Sequence, residues 1–148
     1  MNMERKENYP MNGFRLCVDQ VTEDISGTFF SPLLEKPVSY QGCNQLLLQM
    51  DALFDEKGYP QAFQEKRSFA SEKKKIASYH GIPKRKGNSK EIYSQKGKIA
   101  TMDIVVSTRR NTSWQGCIFK PGNWEKIHDF HGEMQFLQLV MQLSFDAL

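Results

Sequence analysis

The six residues Asn111-Thr112-Ser113-Trp114-Gln115-Gly116 lie at the centre of the stretch that decides the fold, residues 102–148. The residues before them are rich in β-branched side chains, which favours a strand with both faces partly covered. After the returning strand, Pro121-Gly122-Asn123 suits a tight turn, because proline presets a negative φ and glycine accepts a positive one. The predicted unit has strands at Met102–Thr108, Ser113–Lys120 and Trp124–Phe130 and a closing helix at about Glu133–Ala147.

The beginning of the chain shows the same order of signals. Apolar residues at positions 14, 16 and 18 alternate with residues of the opposite face at period two, which is typical of a strand. A later apolar face at helical spacing ends at Gly58, which suits a left-handed cap, and Pro60 follows. This first unit is predicted to have strands at Gly13–Val21, Ile25–Ser31 and Val38–Tyr40 and a helix at about Asn44–Lys57.

Landmarks of the two units are evenly spaced. Gly27 and Gly116 in the hairpin strands are 89 residues apart, and Gly42 and Gly132 before the helices are 90 apart. One such unit is too small to bury both its sheet and its helix, whereas two can cover each other about a pseudo-two-fold axis. The predicted fold is therefore α+β, with two similar β-β-β-α units forming a pseudo-dimeric antiparallel sheet packed by helices. In the first strands the alignment matches Phe14, Leu16 and Val18 with Ile104, Val106 and Thr108.

The two signs of charge are segregated along the chain. Residues 66–98 carry eleven lysines and arginines against two glutamates, a net charge of +9. Because the whole chain carries +3, the remainder carries −6. We predict a polar tail (residues 1–12), the first unit (13–60), a partly helical basic connector (61–101) and the second unit (102–148).

Bulk properties exclude several classes of protein. The 148 residues, 39% of them apolar, are enough for a buried core. The charged N-terminus is not followed by the apolar run of a signal peptide, and no run approaches the roughly 20 apolar residues that span a bilayer. We therefore expect a cytoplasmic protein without membrane contact. The three cysteines lack the spacing of a disulfide framework or a zinc site.

Catalysis is not expected from the side chains present. His80, His128 and His131 show no metal-ligand spacing with a third ligand, and no serine or cysteine lies in a recognisable nucleophile motif. We predict that the chain is not an enzyme and uses no cofactor or metal.

The tip of the second hairpin is the first candidate contact site. Arg109 and Arg110 lie beside Trp114, and Trp124 flanks the same hairpin. Cations beside aromatic rings are typical of binding surfaces, whereas packing in the core is the alternative for both tryptophans. We predict that these four residues, the tip cluster, bind a protein partner. The chain would then be an adaptor or inhibitor, acting as a monomeric pseudo-dimer or as a homodimer.

The basic connector suggests nucleic acid as the alternative partner. Its cations are interleaved with aromatic residues, and they would neutralise phosphates with a salt-dependent affinity. A strap that is positive because it crosses an acidic body, or a solvated linker, explains the same charges. The residues predicted to contact nucleic acid are Lys73, Lys74, Lys75, Lys84, Arg85 and Lys86.

A short motif gives a third, less favoured hypothesis. Asn111-x-Ser113-x-x-Gly116 is similar to the signature of PilZ domains, which bind cyclic di-GMP. The Arg-x-x-x-Arg that grips phosphate in that family is absent here, because Arg109 and Arg110 are adjacent. Asn111 and Ser113 are equally explained as ordinary turn residues.

Several peptides of the chain resemble one family. These are Asn111-x-Ser113-Trp114-Gln115-Gly116 followed by an aromatic-led, glutamine-rich helix, together with Gly58-Tyr59-Pro60-Gln61 and Arg67-Ser68-Phe69. They resemble a family of small proteins of anaerobic Gram-positive bacteria for which no activity is known. The resemblance covers most of the chain and implies a shared domain but no chemistry.

Overall fold

The computed structural model describes residues 8–58, 62–63, 84–110 and 113–148. Within them the chain forms seven strands and three helices. In chain order these are β1 (Gly13–Val21), β2 (Ile25–Phe30), β3 (Val38–Gln41), α1 (Cys43–Lys57), β4 (Ala62–Phe63), α2 (Ser89–Ser94), β5 (Ala100–Arg110), β6 (Gln115–Phe119), β7 (Lys126–His131) and α3 (Glu133–Asp146).

Six strands form an antiparallel sheet in the order β3-β2-β1-β5-β6-β7. The long strands β1 and β5 lie at its centre, with Phe14 opposite Ile104 and Leu16 opposite Met102. The two-residue strand β4 pairs in parallel with the end of β5. The predicted α+β class with an antiparallel sheet is confirmed.

Helices α1 and α3 cover one face of the sheet, which we call the front face. Phe14 of β1 contacts Phe54 of α1 and Phe136 of α3, each with ring centroids 6.4 Å apart. Each ring of this kind contributes about 1.5–3 kcal/mol by leaving water. Because one strand residue touches both helices, the sheet and the helix layer share a single core.

Two glycines of the hairpin strands sit at close backbone approaches. Gly27 pairs with Val18 just before a bulge in β1, and Gly116 pairs with Val106 just before a bulge in β5. A Cβ at either glycine would collide with a backbone carbonyl oxygen of the neighbouring strand. Counted from the bulges, Val18 matches Val106 and not Thr108, so the sequence alignment of the first strands was two residues out of register. A two-residue slip keeps every side chain on its face, so alternation alone cannot detect it.

Helices α1 and α3 begin in the same way. The capping residues Gly42 and Gly132 have φ of 96° and 105° with ψ of 153°, a region that only glycine adopts without strain. A glutamine side chain then reaches back to the strand before each helix. Gln45 Oε1 accepts from the backbone N–H of Gln41 at 2.6 Å, and Gln135 Oε1 accepts from that of His131 at 2.7 Å.

The described part of the connector lies against the opposite, back face of the sheet. Carbonyl oxygens of Tyr93 and Gln95 accept hydrogen bonds from Arg15 Nη1 at 2.6 and 3.1 Å. Further along, the Ile99 N–H donates to the carbonyl of Val18 at 2.8 Å. These contacts anchor residues 92–99 to β1, as expected of a strap and not of a solvated linker.

Candidate functional site

Trp114 belongs to the core and not to a surface platform. Its side chain is fully buried, and its ring lies 5.7 Å from that of Phe54 and 5.3 Å from that of Phe136. The indole Nε1–H donates to Asp51 Oδ1 at 3.1 Å. Trp114 therefore joins β6 to both helices and is closed to a partner.

Arg109 is also buried, at 3% exposure. Its Nη1 donates to Asp55 Oδ1 at 2.9 Å and to Asp51 Oδ1 at 3.1 Å, and its guanidinium lies 5.5 Å from the Phe54 ring centroid. Two carboxylates and an aromatic face thus take up this cation. Its charge fastens the end of β5 to α1.

Trp124 lies on the back face, across the sheet from Trp114. Its half-buried ring packs 5.2 Å from Phe119 and 5.4 Å from Tyr9, and its Nε1–H donates to Tyr93 Oη at 3.1 Å. Its φ of 56° is rare for a residue with a side chain. Trp124 thereby joins the turn after β6 to the N-terminal segment and the connector.

The tip cluster predicted from the sequence is therefore not a single surface. Arg109 and Trp114 are buried on the front side, Trp124 lies on the back face, and the side chain of Arg110 lies outside the described residues. Asn111 lies outside them as well.

The described cations of the connector are exposed. Arg85 Nη1 donates to the carbonyl of Tyr9 at 2.7 Å and to Ser89 Oγ at 3.2 Å, which ties the strap to the N-terminal segment. Lys84 and Lys86 form no ion pair with any residue that the structure describes. Three of the predicted nucleic-acid contacts lie outside the described residues: Lys73, Lys74 and Lys75.

A buried polar cluster on the back face was missed by the sequence analysis. Arg15 binds Asp103 through two hydrogen bonds, from Nε at 2.9 Å and from Nη2 at 2.8 Å. The Tyr9 hydroxyl and the Gly122 N–H donate to the same carboxylate at 2.5 and 3.0 Å. Burial first, and then the adjacent Asp103, raise the pKa of Tyr9 well above its usual value. These bonds tie the N-terminal segment and the turn after β6 to the centre of the sheet.

The thiols are poor nucleophiles. Burial raises the pKa of Cys17 to about 11, and burial together with Asp24 raises the pKa of Cys43 to about 12. Both therefore stay protonated near neutral pH. Among the described residues, no three His, Cys, Asp or Glu side chains come together as a metal site.

An open groove of about 650 Å³ runs along α3 on the front side. The turn between β1 and β2 and the start of α1 form one wall, and a stripe of α3 forms the other. Met134 and Phe145 of that stripe are 70% and 42% exposed, although both are large and apolar. We call this the α3 groove; its lining is Glu23, Asp24, Cys43, Met134, Leu137, Gln138, Met141, Gln142 and Phe145.

The sequence contained a signal for this groove. Phe136 and Val140 of α3 are fully buried, yet Leu137 and Met141 form a second apolar line one residue further round the helix. A helix that is apolar over so wide an arc has more apolar surface than one sheet face can cover. Leu137 and Met141 are half-buried, so this second line contacts the core and also lines the groove.

Comparison of the chain with protein-family models, with curated proteins and with solved structures gave no significant match. The resemblance to the family of small bacterial proteins therefore stays a prediction. No helix within residues 8–58, 62–63, 84–110 and 113–148 is both long and apolar enough to cross a membrane.

Proposed function

We propose that the chain is a non-enzymatic protein-interaction module, an adaptor or inhibitor that receives a segment of its partner in the α3 groove. The observation that carries this is the exposure of two large apolar side chains, Met134 and Phe145, in a concave place that the half-buried Met141 also lines. Apolar grooves rimmed by polar residues are typical of peptide recognition. The proposal moves the contact surface from the tip cluster, which is largely buried, to α3.

A covalent pseudo-dimer of two β-β-β-α units is part of the proposal. Supporting it, the sheet order reads outward from β1 and β5 in the same way on both sides, and the bulge and helix-start geometries recur in each half. Counted from the bulges, Arg15 matches Asp103, and these two residues face each other across the centre of the sheet. A residue on a two-fold axis meets its own counterpart in this way.

This central pair also explains why two different units, and not two copies of one unit, form the sheet. Two copies of the first unit would bring Arg15 against Arg15, and two copies of the second would bring Asp103 against Asp103. Buried like charges repel strongly, whereas the mixed pair forms two hydrogen bonds. Each unit therefore requires the other, and one chain contains both.

Selection of peptides from a random display library tests the proposed function. We expect the enriched peptides to bind the wild-type protein and to lose about tenfold or more in affinity against Met141→Asp, because a charge replaces an apolar contact. Lys57→Gln, on α1 and outside the groove, is the matched control and is expected to bind normally. The proposal fails if no peptide is enriched, or if the enriched peptides bind Met141→Asp as well as they bind the wild type.

Nucleic-acid binding through the connector is the second candidate. In its favour, the described lysines of the connector are exposed and form no ion pair with a described carboxylate. Replacing six cations by glutamine tests it, and unchanged binding to RNA and DNA at low salt would eliminate it. These residues are Lys73, Lys74, Lys75, Lys84, Arg85 and Lys86.

A further inference from the structure

The α3 groove has a filled counterpart in the other half of the molecule. The turn after β1 meets the start of α1, where the Gly42 N–H donates to the carbonyl of Ile25 at 2.8 Å. In the same way the Gly132 N–H at the start of α3 donates to the carbonyl of Trp114 at 2.6 Å. Ile25 and Trp114 therefore hold matching places in the two halves, and both are fully buried.

At the matched positions, the side chains near the second hairpin are larger than those near the first. Where the second hairpin faces α1, large groups fill the space, and Arg109 reaches Asp51 and Asp55. Where the first hairpin faces α3, smaller residues take the places of those groups. Counted from the bulges and the helix starts, Trp114 is replaced by Ile25, Arg109 by Val21, Phe54 by Ser144 and Phe136 by Leu46.

The helix residues under Arg109 change with it. Asp51 and Asp55 of α1 match Met141 and Phe145 of α3, both of which line the open groove. Val21 is too short to reach across to them as Arg109 reaches its two aspartates. The groove is thus lined by two apolar side chains at the places where α1 carries the aspartates that bind Arg109.

We propose that the α3 groove takes an aromatic side chain of a partner protein, with a basic residue next to it in the partner's sequence. This rests on the proposed function and names the chemistry of the partner at the same groove. The aromatic group would pack against Met134, Met141 and Phe145, because methionine sulfurs make favourable contacts with ring edges.

The charge at the rim selects the basic neighbour. Glu23 is exposed and forms no ion pair with any described residue. Asp24 Oδ1 accepts from the N–H groups of Ile25 and Cys43 at 2.8 and 3.0 Å, so this carboxylate is held at the groove wall. Both lie in the part of the chain whose net charge is −6 when residues 66–98 are set apart. A cation beside the aromatic group is attracted there, and an acidic neighbour is repelled.

The length of the groove favours a chain segment over a small molecule. Its lining runs along α3 from Met134 to Phe145, a span of twelve residues and about 16 Å of helix. One ring fills only part of that distance, whereas an extended peptide of a few residues follows all of it.

Methyl-labelled methionine provides the test, because the chain has reporters inside and outside the groove. Met134 and Met141 line it, while Met50 and Met102 are buried in the core. The probe is the acetylated and amidated pentapeptide Gly-Arg-Trp-Arg-Gly, and its matched controls carry glutamine for tryptophan or glutamate for both arginines. Carbon-13 methyl spectra are recorded on the full chain during each titration.

We expect the probe to shift the methyl signals of Met134 and Met141 in a saturable way and to leave those of Met50 and Met102 in place. The glutamine peptide should show no saturation, and the glutamate peptide should bind at least about tenfold more weakly. Met141→Asp should retain the core signals and lose the shift of Met134, which separates loss of binding from loss of fold.

Five results would overturn the inference. Equal affinity for the three peptides would remove the aromatic and basic preference, and binding of free indole as tight as that of the probe would assign the groove to a small molecule. Shifts of Met134 and Met141 on concentrating the protein alone would assign it to a second copy of the chain. Absence of any shift at millimolar probe would leave no such site. If library peptides without this preference still depend on Met141, the inference fails and the proposed function stands.

Discussion

Neutralising Asp103 should be among the most destabilising conservative changes in this chain. The carboxylate is fully buried and accepts hydrogen bonds from Arg15 Nε and Nη2, from the Tyr9 hydroxyl and from the Gly122 N–H. Asp103→Asn keeps the shape, yet it leaves the Arg15 guanidinium buried without its counter-charge. Breaking one side of a buried pair costs about 3–5 kcal/mol, and in a chain of this length that lowers the Tm by about 10 °C or more.

Urea unfolding monitored by tryptophan fluorescence measures the change. We expect the midpoint to fall while the slope against urea stays constant, because the surface exposed on unfolding is the same. Glu125→Gln is the control, since its pair with Lys120 at 3.6 Å lies in solvent and should leave the midpoint unchanged. Replacing both members by apolar residues, Arg15→Met with Asp103→Leu, should recover part of the lost stability, because no unpaired charge is then buried.

A loss below about 1 kcal/mol for Asp103→Asn would refute this reasoning, because that is the range of solvent-exposed pairs. It would mean that water reaches Arg15 and that the N-terminal segment and the connector do not close over the centre of the sheet. The structural argument for mutual dependence of the two units would fall with it.

Three further predictions concern the hairpin, the thiols and the strap. Gly116→Ala should lower the free energy of unfolding from thermal melts by more than about 2 kcal/mol, because a Cβ there collides with the Val105 carbonyl. Gly122→Ala, in open space at a φ of 91°, should lower it by about 1 kcal/mol. Equal losses would contradict the register. Burial raises the pKa of Cys17 from 9.0 to about 11, so its contribution to stability is full below pH 9 and is lost as the pH rises towards 11. Cys17→Ala should reduce the slope of the unfolding free energy against pH over that window. An unchanged slope would show that the thiol is solvated. Arg85→Gln should destabilise the N-terminal segment and speed amide exchange at Tyr9, because Arg85 donates to the Tyr9 carbonyl. Lys86→Gln should leave that exchange unchanged. Equal exchange in the two variants would show that Arg85 does not hold the segment.

Periodicity predicted the regular elements well. Helices were expected at about 44–57 and 133–147 and are found at Cys43–Lys57 and Glu133–Asp146, because an apolar face and a glycine boundary are both local signals. The strand predicted from Trp124 begins only at Lys126, since a φ of 56° at Trp124 is incompatible with an extended strand. β5 extends beyond its predicted ends because its first residues pair with β1 and its last two pair with β4.

The candidate site could not be predicted in the same way. A tryptophan beside two arginines is typical of a surface motif. Only the tertiary structure shows that the buried Arg109 pairs with Asp51 and Asp55, which are partly exposed on α1. Partners 54 and 58 residues apart leave no local pattern. The α3 groove was missed for the opposite reason, because its apolar lining is indistinguishable in sequence from a core face until the sheet's capacity to cover it is known.

Binding of a partner segment along α3 is tested most directly by intermolecular nuclear Overhauser contacts in the complex with the tightest library-selected peptide. The structure predicts contacts from an aromatic ring of that peptide to the methyl groups of Met134 and Met141, which line the α3 groove. Contacts confined to the connector or to the back face would contradict the proposed function, whatever the affinity of the peptide.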